Sequence, residues 1–201
     1  MRGSFFLPPR FNNLHMPQPC PHIQVGSALY EPWADRLTAL WADMDGAYKR
    51  VAEQYGFQCQ GCVDNCCRTR FYHHTLLEYL YIHQGFGKLE AGWQDRFRQQ
   101  AQKVAAYQAR ADRDIQHADH MCPLNVDGRC YLYAHRPMIC RLHGLPHELH
   151  PEGGQMVRGP GCNAFEQQCR KQPYVAFDRT PFYRRMAELE RGLRQASGYG
   201  F

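Results

Sequence analysis

No stretch of this chain approaches the roughly 18 consecutive apolar residues that a membrane-crossing helix needs. Near its start only Phe5, Phe6 and Leu7 form an apolar patch, and Pro8 and Pro9 follow at once. Such a patch is too short for the apolar region of a secretory signal. The expectation is a cytoplasmic protein with no membrane partner. A dense basic block is also missing. The net charge is +5, and the lysines and arginines are scattered along the chain. Nucleic-acid binding calls for a denser stripe with interleaved aromatics, so it is not expected here. A phosphate-cradling glycine loop, a dinucleotide fingerprint and a Gly-x-Ser-x-Gly elbow are absent as well. No internal repeat stands out.

What is present can fold. Of the 201 residues 44% are hydrophobic and 13% aromatic, enough to build a core. Residues 1–26, rich in Pro and Asn and without apolar period, read as an extended arm, and 27–201 as a single domain. A helix is expected over 32–55, with Pro32 at its first position and Gly56 as its stop. Its apolar face is Trp33, Leu37, Leu40, Trp41, Met44, Tyr48, Val51, Ala52 and Tyr55. A second helix starts at Thr75, whose spacing from Glu78 fits a capping box, and Gly85 and Gly87 end it. A third spans 89–116, with Trp93, Phe97, Ala101, Val104, Ala111 and Ile115 as its buried stripe. Asn125, Asp127 and Gly128 predict a tight turn between short strands at 122–126 and 129–133, and Gly153–Gly154 another turn. A last helix starts at Thr180 and ends at Gly198, with Phe182, Met186, Leu189 and Leu193 on its face. The fold class expected is mainly α: an irregular helical domain with cysteine-rich metal-binding loops and a short β-hairpin.

The ten cysteines carry the chemistry. In a reducing compartment disulfides rarely persist, and clustered cysteines point to metal or catalysis. The first group is Cys59-Gln-Gly-Cys62-Val-Asp-Asn-Cys66-Cys67. Two cysteines separated by two residues can aim both sulfurs at one ion or cluster. The adjacent Cys66 and Cys67 diverge as neighbours do, so they suit two neighbouring sites, or one ligates while the other packs. The second group is Cys122, Cys130 and Cys140, followed by Cys162. Cys122 and Cys130 flank the expected turn. Arg136 and Arg141 flank Cys140, where a guanidinium favours thiolate and could offset the charge of a thiolate-bound cofactor; ordinary surface pairing is the alternative. Four thiolates hold one zinc ion or one [4Fe–4S] cluster, so eight permit two sites, or one site and four cysteines with other tasks. Cys20, in the arm, is left out of the set. Cys169 is at most a substitute ligand. His143, His147 and His150 share one short segment, His73 and His74 follow the first group, and His117 and His120 precede Cys122; imidazole suits zinc or iron.

The run at 59–67, then Cys122-Pro123-Leu124 to Gly128-Arg129-Cys130, then Tyr133 to Arg136-Pro137-Met138-Ile139-Cys140-Arg141, resembles the YkgJ-type cysteine-cluster family. Those proteins are described as zinc- or iron-chelating, or as iron–sulfur proteins. The resemblance covers roughly 57–165 and implies eight ligands, on Cys59, Cys62, Cys66, Cys67, Cys122, Cys130, Cys140 and Cys162. One spacing differs: three residues, Val63, Asp64 and Asn65, precede the cysteine pair where the family usually has two, so the separate roles of Cys66 and Cys67 stay open. The function implied is metal binding, with an iron–sulfur cluster or zinc or iron, for electron transfer, metal handling or structure. Two other classes compete. One is a cluster-dependent enzyme, an oxidoreductase or a protein lysine N-methyltransferase using S-adenosylmethionine. The wider family includes such a methylase, but only its cysteine-cluster part is resembled, and no methyl-donor site carries over. The other is a zinc-stabilised interaction module.

Overall fold

Helix α1, Glu31–Tyr55, is the spine of the protein. The computed structural model describes residues 23–59, 66, 67, 75–114 and 121–199, the side chains of 108–114 excepted. The apolar period of α1 buries Leu37, Leu40, Trp41, Met44, Val51, Ala52 and Tyr55, while Trp33 and Tyr48 stay half-buried. The helix begins one residue before Pro32 and stops at Gly56, whose φ of 66° is left-handed. Helices α2 (Leu76–Gly87), α4 (Met138–Leu142) and α6 (Thr180–Ser197) pack on α1, and α2 also meets α6. The core they enclose includes Leu77, Leu80, Leu142, Met186 and Leu193. Burying each such side chain contributes about 1.5–3 kcal/mol. The protein is mainly α. No helix among the described residues is long and apolar enough to cross a membrane.

The capping box of α2 is present: Thr75 accepts from Glu78 N, and Glu78 accepts from Thr75 N. Helix α2 ends at Gly87, one of the two glycines expected to stop it, while Gly85 lies inside the helix. A Cβ there would collide with the His135 ring, so the position serves close approach rather than termination. Helix α3, Ala91–Asp114, also departs from its expected stripe. Trp93 and Phe97 pack on Tyr131, with ring centroids 4.4 and 5.3 Å away, but Ala101 is exposed. Alanines offer little area to bury, so nothing draws that face inward. Ile115 and Gln116 lie outside the described residues.

The predicted hairpin forms but is short: β1 (Asn125–Val126) pairs antiparallel with β2 (Arg129–Cys130). Asp127 and Gly128, at φ 51° and 82°, make the left-handed turn that two-residue hairpins favour. Cys122 leaves the ladder because its N–H is spent elsewhere, and 133–135 wind into a 3₁₀ turn. A second hairpin, β3 (His147–Leu149) with β4 (Val157–Gly159), and helix α5 (Asn163–Cys169) complete the described elements. Of the expected arm, residues 1–22 lie outside the described set. Ile23 is buried in the core.

Candidate metal centre

Three separate segments bring cysteines to one place. The link is main-chain first: Cys122 N donates to Cys67 O at 2.7 Å, which ties the first cysteine group to the second. The thiols then chain together. Cys66 hydrogen-bonds with Cys140 and Cys67, and Cys67 with Cys122. Cys130 lies near enough to Cys67 and Cys140 for their charges to act on it. All eight described cysteines are free, so none of these contacts is a bridge.

Local structure explains each placement. Cys130 is held by the hairpin, opposite Asn125. Cys140 rides on α4, whose first N–H, that of Met138, donates to the buried Glu78 carboxylate at 2.7 Å. Pro137 precedes that helix with an extended backbone, as its ring allows. Cys66 meets Cys140 and Cys67 meets Cys122, while the two adjacent thiols also meet each other.

A second pair gathers beside the first. Cys59 and Cys162 lie around the Tyr48 side chain, whose hydroxyl pKa is raised by burial first and by these two thiols next. Cys162 N donates to Gly144 O at 2.9 Å. Gly144 has φ 115°, which disfavours other residues, and a Cβ there would come within 2.7 Å of the Tyr48 hydroxyl oxygen. Cys62 lies outside the described residues, as do His73, His74, His117 and His120.

The thiols differ in electrostatics. Cys67 is pulled down to about 3, chiefly by the hydrogen bond from Cys122 and then that from Cys66. Its partners move the other way. Cys66 is raised by its bonds to Cys140 and Cys67, and Cys122 by its bond to Cys67. Burial pushes Cys130 up to about 11. One thiolate shared among thiol donors is the form of sulfur that binds soft metals. The half-buried His143 ring has its pKa lowered by burial and then by Arg179, and raised by Cys67. Its Nε2 is buried without a hydrogen-bond partner.

The arginines divide. Arg136 stays near the thiols: its charge lowers Cys130, its Nη2 is 3.4 Å from Asp45, and its Nε is buried and unpartnered. Arg141 is directed elsewhere. It donates to Asp45 at 2.6 Å and to the carbonyls of Ala134 and Arg136 at 2.6 and 3.0 Å, and it lies over the Trp41 ring. Those contacts hold α4 to α1, and Asp45 meets its charge. Arg179 has no motif to announce it. It is 4% exposed and donates to the carbonyls of Leu142 and Leu145, on either side of His143 and Gly144. Cys169 is buried and donates to Tyr55 O at 3.5 Å, facing the core on α5. His150 faces Glu148 at 3.2 Å.

The donor set, thiols with an imidazole, suits zinc, iron or an iron–sulfur cluster. The sulfurs touch in series, Cys140 to Cys66 to Cys67 to Cys122. Among the described residues no three Cys, His, Asp or Glu side chains surround a single point as ligands of one ion. Compared with family models, curated proteins and solved structures, the chain matches none.

Proposed function

We propose that this is a metal-binding protein of a reducing compartment, the cytoplasm, which holds zinc, iron or an iron–sulfur cluster through its cysteine thiolates. One observation carries the reading: Cys66 and Cys67 meet Cys122 and Cys140, from two later segments, without a disulfide among them. Packing alone gives no reason to gather polarisable thiols and depress one of them. The resemblance of the cysteine motifs to the YkgJ-type family supports the same reading. Cys59, Cys62, Cys130 and Cys162 belong to the proposed ligand set, with Arg136 as the nearby counter-charge. A cluster would supply one-electron transfer, whereas zinc would supply structure. Structural zinc contributes on the order of 10–16 kcal/mol of binding energy, which becomes folding energy.

Protein isolated without oxygen should carry stoichiometric metal, and colour with a spin-resonance signal after reduction would separate an iron–sulfur cluster from zinc. Cys67→Ala and Cys122→Ala should lose that metal. Isolated protein with no metal, and no uptake of zinc or iron in reducing buffer, would overturn the proposal.

A further inference from the structure

We propose that His143 is a nitrogen ligand of this centre, which makes its donor set mixed rather than all-sulfur; the inference rests on the metal-binding reading above. The spacing comes first. Cys140-Arg-Leu-His143 places two residues between donors, the separation that lets a short turn aim both at one ion. Helix α4 ends at Leu142, and His143 is extended, with φ −68° and ψ 143°, so the chain turns out of the helix at the ligand position.

Position follows. Cys140 meets Cys66, and the His143 ring lies within reach of the Cys67 charge. The donors three apart on α4 and its exit thus each lie on the side of one member of the adjacent pair. Burial adds a further argument. An orphaned buried ring nitrogen is costly, and Nε2 of His143 is such an atom. A ligand role gives that nitrogen a partner.

The loop is also built to hold still. Arg179 grips the carbonyls of Leu142 and Leu145, and Gly144 O accepts from Cys162 N. Fixing the backbone on both sides of a ligand orients it, as outer-shell partners do in metal sites. The other histidines of the segment lack these features together. His150 bonds Glu148, and the His147 ring, whose Nδ1 is also buried without a partner, lies against Gly159 on the second hairpin, away from a Cys-x-x-His spacing.

Zinc titration and zinc X-ray absorption on the full chain test the assignment. Wild type should bind zinc with an imidazole contribution to the spectrum. His143→Ala should weaken zinc by more than about a hundredfold, beyond the ten- to hundredfold effects of disturbing an outer shell, and lose the imidazole signature. His143→Cys should recover affinity with sulfur scatterers in its place, and circular dichroism in chelator checks that both variants fold. An all-sulfur spectrum for wild type, or an unchanged spectrum and affinity in His143→Ala, overturns the His143 assignment and leaves the metal reading standing. A wild type that binds no zinc and carries no iron overturns both.

Discussion

Removal of the Glu78 carboxylate should unravel the junction between the capping of α2 and the placement of Cys140. Glu78 is 2% exposed, and its two oxygens serve two helix starts. Oε2 accepts from the N–H and hydroxyl of Thr75, each at 3.1 Å, and Oε1 accepts from Met138 N at 2.7 Å. Alanine would leave two main-chain N–H groups without that acceptor, Met138 N buried and Thr75 N half-buried, each costing about 1–3 kcal/mol. The favourable position of an anion at two helix N-termini would go too, about 0.3–1 kcal/mol at each. These effects overlap, so Glu78→Ala should cost about 3–5 kcal/mol, in the range for breaking a buried charged network. For a chain of this length about 1 kcal/mol shifts Tm by 2–4 °C, so the midpoint should fall by about 10 °C. Glu78→Gln keeps the shape and one carbonyl oxygen, and should lose roughly half as much. Urea melts in chelator are the appropriate assay, because bound metal adds its own stabilisation. A loss below about 1 kcal/mol in Glu78→Ala would refute the double cap. Zinc affinity should fall along with stability, since α4 carries Cys140.

Gly85→Ala gains helix propensity of about 1 kcal/mol, yet its methyl would strike the His135 ring. A net loss of about 1–3 kcal/mol is expected from overpacking, and a higher Tm would contradict the close approach. Cys169→Ala should keep full metal content while lowering stability, because its thiol faces Tyr55 O in the core; metal loss in that variant would reverse its assignment. Stability in chelator should fall as pH drops below 6.5. His83, His135, His143 and His147 all have pKa values lowered from 6.5, by burial first, so the folded state holds fewer protons than the unfolded state between the folded and unfolded values. Their contribution is fully present above 6.5 and is lost as pH falls through the folded values. A urea midpoint unchanged between neutral pH and about pH 5 would refute this sign.

Helices α1, α2 and α6 were legible because their signals are local. Period, Thr75 with Glu78, Pro32, Pro181 and the glycine stops each act within a few residues. The turn at Asp127 and Gly128 was legible for the same reason. The second hairpin was not, since β3 and β4 are three residues each and show no alternation. Gly85 was misread because a glycine that ends a helix and one that admits His135 look alike in the sequence. His143 carried a usable signal, its spacing from Cys140, which was diluted among 11 histidines. Arg179 carried none.

Read alone, the residue order settles which cysteines are close along the chain, which segments coil, and that the whole is mainly helical, because these properties depend on neighbours within a turn or two. It does not settle which thiol meets which. Cys66 reaching Cys140, Cys122 N bonding Cys67 O, and Arg179 donating to Leu142 O join positions 74, 55 and 37 residues apart. Such contacts exist only once α1 has gathered α2, α4 and α6 around a shared core, since burial acts on surfaces and not on sequence distance.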